Sequence, residues 1–271
     1  MRPLHCIIPA MSASLLPMIR LVFALLLVMV PFGAVANHLF VSPNGSDEGQ
    51  CESNSPCATI GRACSVANSS ADRVTAIKVA GGVYQNNTFC DVWYHRYVSI
   101  YGDCNDRPDI GLSGSDVAFR AQDSAILVVH CVGIRSSGNG SIAFASRQFA
   151  IMDVDNVRIG PLAGGGMVMK AGEMSKINCT PGGIVLYGSV GHVTLASGMS
   201  TISLTCALRF ENTPQIDAIA VAVQKSLIIV DSASWVGAFV GQKYICIDSQ
   251  IVGATTMPGT DSSSVSNCLA R

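Results

Sequence analysis

Charged side chains are scarce in this chain of 271 residues. Asp, Glu, Lys and Arg make up 13% of it, about half of the share that is usual in soluble domains. The formal net charge at pH 7 is only −1, so the composition gives no basic surface for a nucleic acid. What is abundant instead is apolar residues, at 49%, and glycine, with 26 copies. This composition is typical of a β-rich protein with many turns and much internal packing.

Long apolar runs are missing except near the amino terminus. There, Arg20 precedes an apolar run over residues 21–30, which is followed by Pro31 and by small residues at 34–36. A run of this length is short for a bilayer, which requires roughly 20 residues. The pattern therefore predicts a cleaved signal peptide over residues 1–36 rather than a membrane anchor. Met18 is an alternative start codon.

We expect the mature chain to begin at Asn37 and residues 37–271 to form a single domain. The predicted location is secreted or periplasmic, with no membrane association after the leader has been removed. The oligomeric state stays open.

The sequence contains no C-x-x-C pair, which the usual zinc frameworks require. An even number of cysteines in an exported chain predicts disulfides instead. Cys6 belongs to the leader. The other ten cysteines are Cys51, Cys57, Cys64, Cys90, Cys104, Cys131, Cys179, Cys206, Cys246 and Cys268. Their connectivity does not follow from the sequence, although we expect the first five to pair among themselves at the amino-terminal end.

Helical periodicity is confined to the amino-terminal part. Residues 57–68 carry apolar side chains at helical spacing and predict a short amphipathic helix. From residue 125 onward, short apolar runs alternate with Gly, Ser and Asn, and two of these runs align at a step of 25 residues. The step relates Leu127, Val129, Val132 and Ile134 to Met152, Val154, Val157 and Ile159.

A repeat of this length predicts a solenoid in which Val129 and Val154 lie on adjacent parallel strands. The predicted fold class is all-β, a parallel β-helix whose first coil is covered by the short helix. A β-sandwich is the alternative.

Three segments near the amino terminus resemble a known family. They read FVSPNGSDEGQCESNSPCATIGRAC, IKVAGGVY and VSIYGD, and they are similar to the opening of exported bacterial β-helix proteins of the pectate-lyase-like superfamily. The carboxy-terminal stretch FVGQKYICIDSQIVGATTMPG resembles the last coils of uncharacterised proteins of this type. The resemblance implies a right-handed parallel β-helix and, in many members, polysaccharide chemistry.

The catalytic motifs of family members that hydrolyse galacturonans are absent. Those motifs include Gly-His-Gly, Arg-Ile-Lys and an Asp-Asp pair. In this chain His192 is followed by Val193, and Arg158-Ile159 is followed by Gly160. No catalytic residue is therefore carried over, and the fold alone does not imply an activity.

Two groups of charged residues are candidate sites for chemistry. Asp103, Asp106 and Asp109 follow one another at steps of three in a predicted loop, where they could bind calcium or act as acid and base. Asp153 and Asp155 alternate on one face of a predicted strand with Arg158 shortly beyond, which are the ingredients of a lyase site. A solvated turn and a polar exterior are the alternatives. No cofactor is predicted, apart from calcium as a possibility.

Aromatic residues make up only 6% of the chain, yet four of them fall within nine positions, at Trp93, Tyr94, Tyr97 and Tyr101. Flat rings that stack on sugar faces are a common means of glycan binding. We predict carbohydrate binding by Trp93, Tyr94 and Tyr97. Packing of these rings beneath the short helix is the alternative.

The sequence favours a β-helix that binds a polysaccharide or cell-surface glycan, or forms a structural surface element, without catalysis. The alternative is a polysaccharide lyase or glycoside hydrolase that acts on an acidic polysaccharide. Convergence of several of the five aspartates with Arg158 in one groove would favour the enzyme. An adhesin-like fragment is a third possibility.

Overall fold

The computed structural model describes residues 37–85, 90–114, 116–260 and 265–271. The predicted leader, with Cys6 and the alternative start at Met18, lies outside these ranges. Within them, no helix is long and apolar enough to cross a membrane.

The chain forms a right-handed parallel β-helix of about seven turns. Each turn passes through three parallel sheets in a fixed order. We name each sheet by the number of its strands: the ten-stranded, the seven-stranded and the eight-stranded sheet. Every pairing between named strands is between strands of neighbouring coils, as the step of 25 residues requires.

The ten-stranded sheet consists of β1 (Asn37–Val41), β2 (Val74–Val79), β5 (Tyr97–Tyr101), β8 (Ile126–His130), β11 (Ile151–Asp155), β14 (Lys176–Cys179), β17 (Thr201–Leu204), β20 (Leu227–Ile229), β23 (Gln250–Val252) and β25 (Leu269–Ala270). The seven-stranded sheet consists of β3 (Gly82–Gln85), β6 (Pro108–Leu112), β9 (Gly133–Ser136), β12 (Val157–Leu162), β15 (Ile184–Tyr187), β18 (Ala207–Glu211) and β21 (Ser234–Val236). The eight-stranded sheet consists of β4 (Cys90–Val92), β7 (Val117–Ala121), β10 (Ile142–Ser146), β13 (Met167–Ala171), β16 (Val190–Ala196), β19 (Gln215–Val223), β22 (Val240–Ile247) and β24 (Val265–Ser266).

The predicted repeat coincides with the register of the stack. Val129 of β8 is the parallel partner of Val154 of β11, as predicted, and Cys179 and Leu204 continue the same row. Val129 and Val154 are fully buried, and each such side chain contributes roughly 1.5–3 kcal/mol of burial energy. The parallel pairing confirms the solenoid and excludes the β-sandwich.

One α-helix, α1 (Ile60–Ser69), covers the first coil, where it packs on β1, β2 and β4. Its buried face includes Ile60, Ala63, Cys64 and Ala67, the apolar positions that the sequence places on one side. The helix begins at Ile60 because Thr59 is its N-cap and accepts a hydrogen bond from the Arg62 amide. A short 3-10 helix, η1 (Ala254–Thr256), lies near the other end.

Five disulfides join the ten cysteines of residues 37–271. They are Cys51–Cys57, Cys64–Cys90, Cys104–Cys131, Cys179–Cys206 and Cys246–Cys268. The expectation that the first five cysteines pair among themselves is therefore wrong for the fifth. Cys104 follows β5 and meets Cys131, which follows β8, because the two occupy the same corner in successive coils. This number of disulfides fits an oxidising compartment such as the periplasm or the cell exterior.

Candidate binding groove on the seven-stranded sheet

Two rows of outward-facing side chains run along the seven-stranded sheet from coil to coil. Strand register aligns alternate residues of each strand with those of the next. The first row contains Asp109, Gly133, Arg158, Val185 and Arg209. The second row contains Gln85, Gly111 and Arg135 and, beyond a register irregularity in β12, Tyr187 and Glu211.

Each row contains a glycine, and a depression lies over each glycine. The depression at Gly133 has a volume of about 210 Å³ and is lined by Arg107, Pro108, Asp109, Gly133, Arg158 and Tyr187. The depression at Gly111 has a volume of about 410 Å³, and its lining includes Gln85, Gly111, Leu112, Ser113, Arg135 and Ser137. We call the two together the groove.

Ion pairs connect the groove from coil to coil. Arg135 Nε donates to Asp109 Oδ2 at 2.8 Å, which links a side chain of the larger depression to one of the smaller. Arg158 Nη2 donates to Glu211 Oε2 at 2.9 Å. The Arg158 guanidinium also lies 4.4 Å from the centre of the Tyr187 ring, a cation–π arrangement. Asp109, which lines the groove, and Glu211, which lies beside it, are thus each paired with an arginine.

Arg107 differs from the other two arginines because its hydrogen-bond partners are uncharged. Its Nη2 donates to Asn156 Oδ1 at 2.6 Å, and its Nε donates to the Cys104 carbonyl at 3.3 Å. Burial, followed by the positive charge of Arg158, lowers the pKa of Arg107, and Glu211 partly opposes this. The groove therefore holds a guanidinium whose positive charge is destabilised by its surroundings, which favours the entry of an anion.

The pKa values of two further groups indicate their charge in the groove. The hydrogen bond from Arg158 to Glu211 is the main cause that raises the pKa of Arg158, so this side chain stays cationic. Burial, followed by the charge of Asp109, raises the pKa of Tyr187. Its phenol consequently stays neutral and can both donate and accept hydrogen bonds at physiological pH.

Of the five candidate aspartates, Asp109 shares the groove with Arg158. Asp153 faces outward on the ten-stranded sheet and accepts a hydrogen bond from Asn178 at 2.7 Å. Asp155 is on the same strand but contacts His130 and the Gly182 amide. The corner at Asn156, whose φ is 49°, turns the chain so that Arg158 lies on a different sheet from both of these aspartates.

The remaining two aspartates lie in the exposed loop between β5 and β6. Asp103 accepts a hydrogen bond from the backbone amide of Asn105 at 2.8 Å. Asp106 lies beside Gly81. Burial and, secondarily, the Asp106 carboxylate raise the pKa of Tyr84 to about 12. Asp103, Asp106 and Asp109 thus have separate surroundings, with Asp109 on β6 rather than in the loop, and calcium binding by them stays a prediction.

The aromatic residues occupy the corner between the eight-stranded and ten-stranded sheets. Tyr94 and Tyr97 are 68% and 40% exposed. The Trp93 and Tyr94 rings meet edge to face, with their centroids 6.2 Å apart. These rings form a solvent-facing patch on a different corner from the groove, and its role in carbohydrate binding stays a prediction.

Sequence reasoning missed Arg107, Arg135, Tyr187 and Glu211 as functional candidates. The residues that pair lie one or two coils apart in the sequence: Arg135 lies 26 positions after Asp109, and Glu211 lies 53 positions after Arg158. Only the strand register assembles these residues, so the sequence contains no local signal for the groove.

Comparisons with known proteins add little to this geometry. No family model matches the sequence, and no curated protein matches it. The fold is similar to that in a crystal structure of Escherichia coli YbhC, with a TM-score of 0.47 and 13% sequence identity. The similarity covers 97% of this chain and 78% of that one. The function therefore has to be inferred from the residues of the groove.

Proposed function

We propose that the groove binds an acidic polysaccharide chain without cleaving it. The observation that carries this proposal is Arg107, a half-buried guanidinium with uncharged hydrogen-bond partners at the edge of an open depression. A carboxylate of a uronic acid would supply the missing negative charge. Guanidinium–carboxylate hydrogen bonds are strong and directional, and thus suited to selecting an acidic sugar.

The neighbouring parts of the groove fit the rest of a sugar chain. The depression at Gly111 lies within the size range of small-ligand sites. Its lining includes Gln85, Ser113 and Ser137, which offer hydrogen bonds to sugar hydroxyls. The link from Arg135 to Asp109 makes the two depressions adjacent, so consecutive sugar units would occupy them in turn.

Binding is favoured over cleavage because the carboxylates of the groove already have partners. A general acid or base must be able to exchange a proton with the substrate. Asp109 and Glu211 are each paired with an arginine. Asp155, outside the groove, is held by His130 and the Gly182 amide.

We further propose that the protein is secreted or periplasmic, is released from its leader, and belongs to the pectate-lyase-like superfamily. The five disulfides support export, since such bonds persist in oxidising compartments. The amino-terminal segments that resemble this superfamily support the assignment.

The test is the affinity of the purified protein for polygalacturonate, alginate and heparin, measured by calorimetry and affinity electrophoresis. Arg107→Gln should weaken binding of the preferred glycan by about tenfold or more, since a hydrogen bond to a charged group contributes roughly 1.5–3 kcal/mol. Arg209→Gln is the matched control, because Arg209 is an exposed arginine of the same sheet that lines neither depression; it should leave the affinity within about twofold. Added salt should weaken binding.

Other outcomes would overturn the proposal. If Trp93→Ala and Tyr94→Ala abolish retention while Arg107→Gln does not, the aromatic patch is the binding surface. Asp153→Asn and Asp155→Asn should leave retention unchanged. Release of unsaturated or reducing ends, abolished by Asp109→Asn, would make the protein an enzyme. Retention of none of the three glycans would reject glycan binding by the groove.

A further inference from the structure

The disulfide Cys104–Cys131 has a polar environment at the corner between the ten-stranded and seven-stranded sheets. Cys104 Sγ lies 3.6 Å from His130 Nε2. It also accepts a hydrogen bond from Asn156 Nδ2 at 3.0 Å. Cys104 is half-exposed, whereas Cys131 is fully buried. Cys104 is therefore the more accessible residue of the pair, and its sulfur lies beside two groups that can donate a hydrogen bond.

The imidazole of His130 is held in place from its other side. His130 Nδ1 lies 2.8 Å from Asp155 Oδ2, and the two residues are register partners on β8 and β11. The other oxygen of Asp155 accepts a hydrogen bond from the Gly182 amide at 2.6 Å. A carboxylate on Nδ1 fixes the orientation of the ring. Sulfur, imidazole and carboxylate thus form a chain of contacts across three coils.

Other disulfides of the protein have different neighbours. The sulfurs of Cys179 and Cys246 face the carbonyls of Thr180 and Ser249, at 3.9 and 3.6 Å. A carbonyl only accepts hydrogen bonds, so it cannot stabilise a thiolate. Cys179–Cys206 is the useful comparison, because it lies at the same corner and spans 27 residues, as Cys104–Cys131 does.

We propose that Cys104–Cys131 is a redox-active disulfide that exchanges with external thiols, with Cys104 as the reactive sulfur. His130 stabilises the Cys104 thiolate, and Asp155 is a positioning residue that acts through His130. Arg107 of the groove contacts both Cys104 and Asn156, but the redox proposal is tested by thiol chemistry and not by glycan affinity, so the failure of one proposal is distinguishable from the failure of the other.

The reaction is an ordinary thiol–disulfide exchange. The thiolate of a small thiol or of a protein dithiol attacks the accessible Cys104 sulfur, the bond to Cys131 breaks, and Cys131 leaves as a thiolate that takes a proton from water. A second thiolate attacks the external sulfur of the mixed disulfide and releases the Cys104 thiolate beside His130. Two external thiols are oxidised to one disulfide, and two electrons reduce the protein pair. In reverse, Cys104 attacks an external disulfide and Cys131 resolves the intermediate.

The first experiment measures which bond opens first. The folded protein is equilibrated in glutathione buffers of increasing reducing strength, quenched with acid, alkylated and mapped by mass spectrometry. Cys104–Cys131 should open in buffers in which Cys179–Cys206 stays closed. Opening of Cys104–Cys131 together with or after Cys179–Cys206 would overturn the proposal.

The second experiment separates the chemistry of the site from simple exposure. The charged or titratable groups around the sulfur are His130, Asp155, Tyr101 of β5, and Asp103 and Arg107 of its own loop. In protein reduced only at this pair, the rate at which iodoacetamide alkylates Cys104 is measured from pH 5 to 9. At pH 6 the alkylation rate of His130→Gln should be about threefold or more below that of the parent. In the parent, His130 increases the fraction of Cys104 that is thiolate, and this increase outweighs the lower intrinsic nucleophilicity of a stabilised thiolate.

Asp155→Asn should shift the pH profile of alkylation in the same direction as His130→Gln. Asp153→Asn is the matched control, since Asp153 lies on the same strand and face but contacts Asn178. Its profile should coincide with that of the parent. A His130→Gln profile that coincides with the parent, or an equal effect of both Asp replacements, would overturn the proposed role of His130 and Asp155.

Discussion

At the scale of the residue, the groove depends on glycines, which have no side chain to fill it. Gly133 lies within a strand, where glycine is normally unfavourable, and no positive φ requires it there. A Cβ added at this position would lie 3.5 Å from the Pro108 carbonyl and 3.7 Å from Asp109 Oδ1, which are ordinary contacts. What glycine provides at this position is therefore the open space in front of Arg107.

Filling that space should affect binding and leave the fold intact. We expect Gly133→Val to abolish most glycan binding, by about tenfold or more, while stability in urea stays equal or rises by up to about 1 kcal/mol. Gly160→Ala is the contrasting variant, because its φ is 129° and an added Cβ would collide with the Tyr187 carbonyl. It should destabilise the fold. Unchanged affinity in a folded Gly133→Val protein would place the glycan elsewhere.

At the scale of the element, buried serines join successive strands at one corner of the coil. Ser175, Ser200 and Ser226 precede β14, β17 and β20 and are all buried. Each hydroxyl donates to the last carbonyl of an eight-stranded-sheet strand in the preceding coil, at 2.7 to 2.9 Å. Such a hydroxyl both satisfies a buried carbonyl and connects neighbouring coils.

Removing one of these hydroxyls should weaken the stack locally. Ser200→Ala should lower the free energy of unfolding by about 1–2 kcal/mol, because a buried hydrogen bond is lost. Ser197→Ala is the matched control. Its hydroxyl is half-exposed and lies 3.5 Å from the same Ala171 carbonyl. This change should stay within about 0.5 kcal/mol. Equal effects of the two replacements in urea titrations would show that the corner carbonyl does not depend on Ser200.

At the scale of the whole molecule, three disulfides lie near the two ends of the β-helix, and each of the other two joins a pair of intermediate coils. Cys51–Cys57 and Cys64–Cys90 lie at the end that α1 covers, and Cys246–Cys268 lies near the other end. The ends of a stacked array lack a neighbouring coil on one side. Cross-links at these places therefore restrain the strands that have the fewest partners.

Processing and oxidation can be tested together on the exported protein. Its intact mass should correspond to a chain that begins at Asn37, and alkylation without reductant should modify no more than two of its ten cysteines. Reduction in denaturant should expose all ten. A mass that retains the leader, or eight or more thiols accessible without reductant, would contradict the predicted export.

The sequence by itself determined the stack, the first-coil helix and the number of disulfides. In-register parallel stacking places apolar residues at the same inward positions of successive coils. The separation of Val129 and Val154 in the sequence therefore equals the length of one coil. The helix follows from the spacing of apolar residues within a dozen positions, which is a local pattern. An even number of cysteines likewise requires no knowledge of which coil each cysteine occupies.

Only the tertiary structure decided which side chains meet. Coils differ in length and each corner turns the chain onto another sheet, so nearness in the sequence does not predict nearness on a face. Asp155 and Arg158 are three positions apart but lie on different sheets, whereas Arg158 pairs with Glu211 across 53 positions. The groove and the Cys104–His130 contact exist because stacking aligns residues of different coils. Which residues align depends on the lengths of all the coils between them.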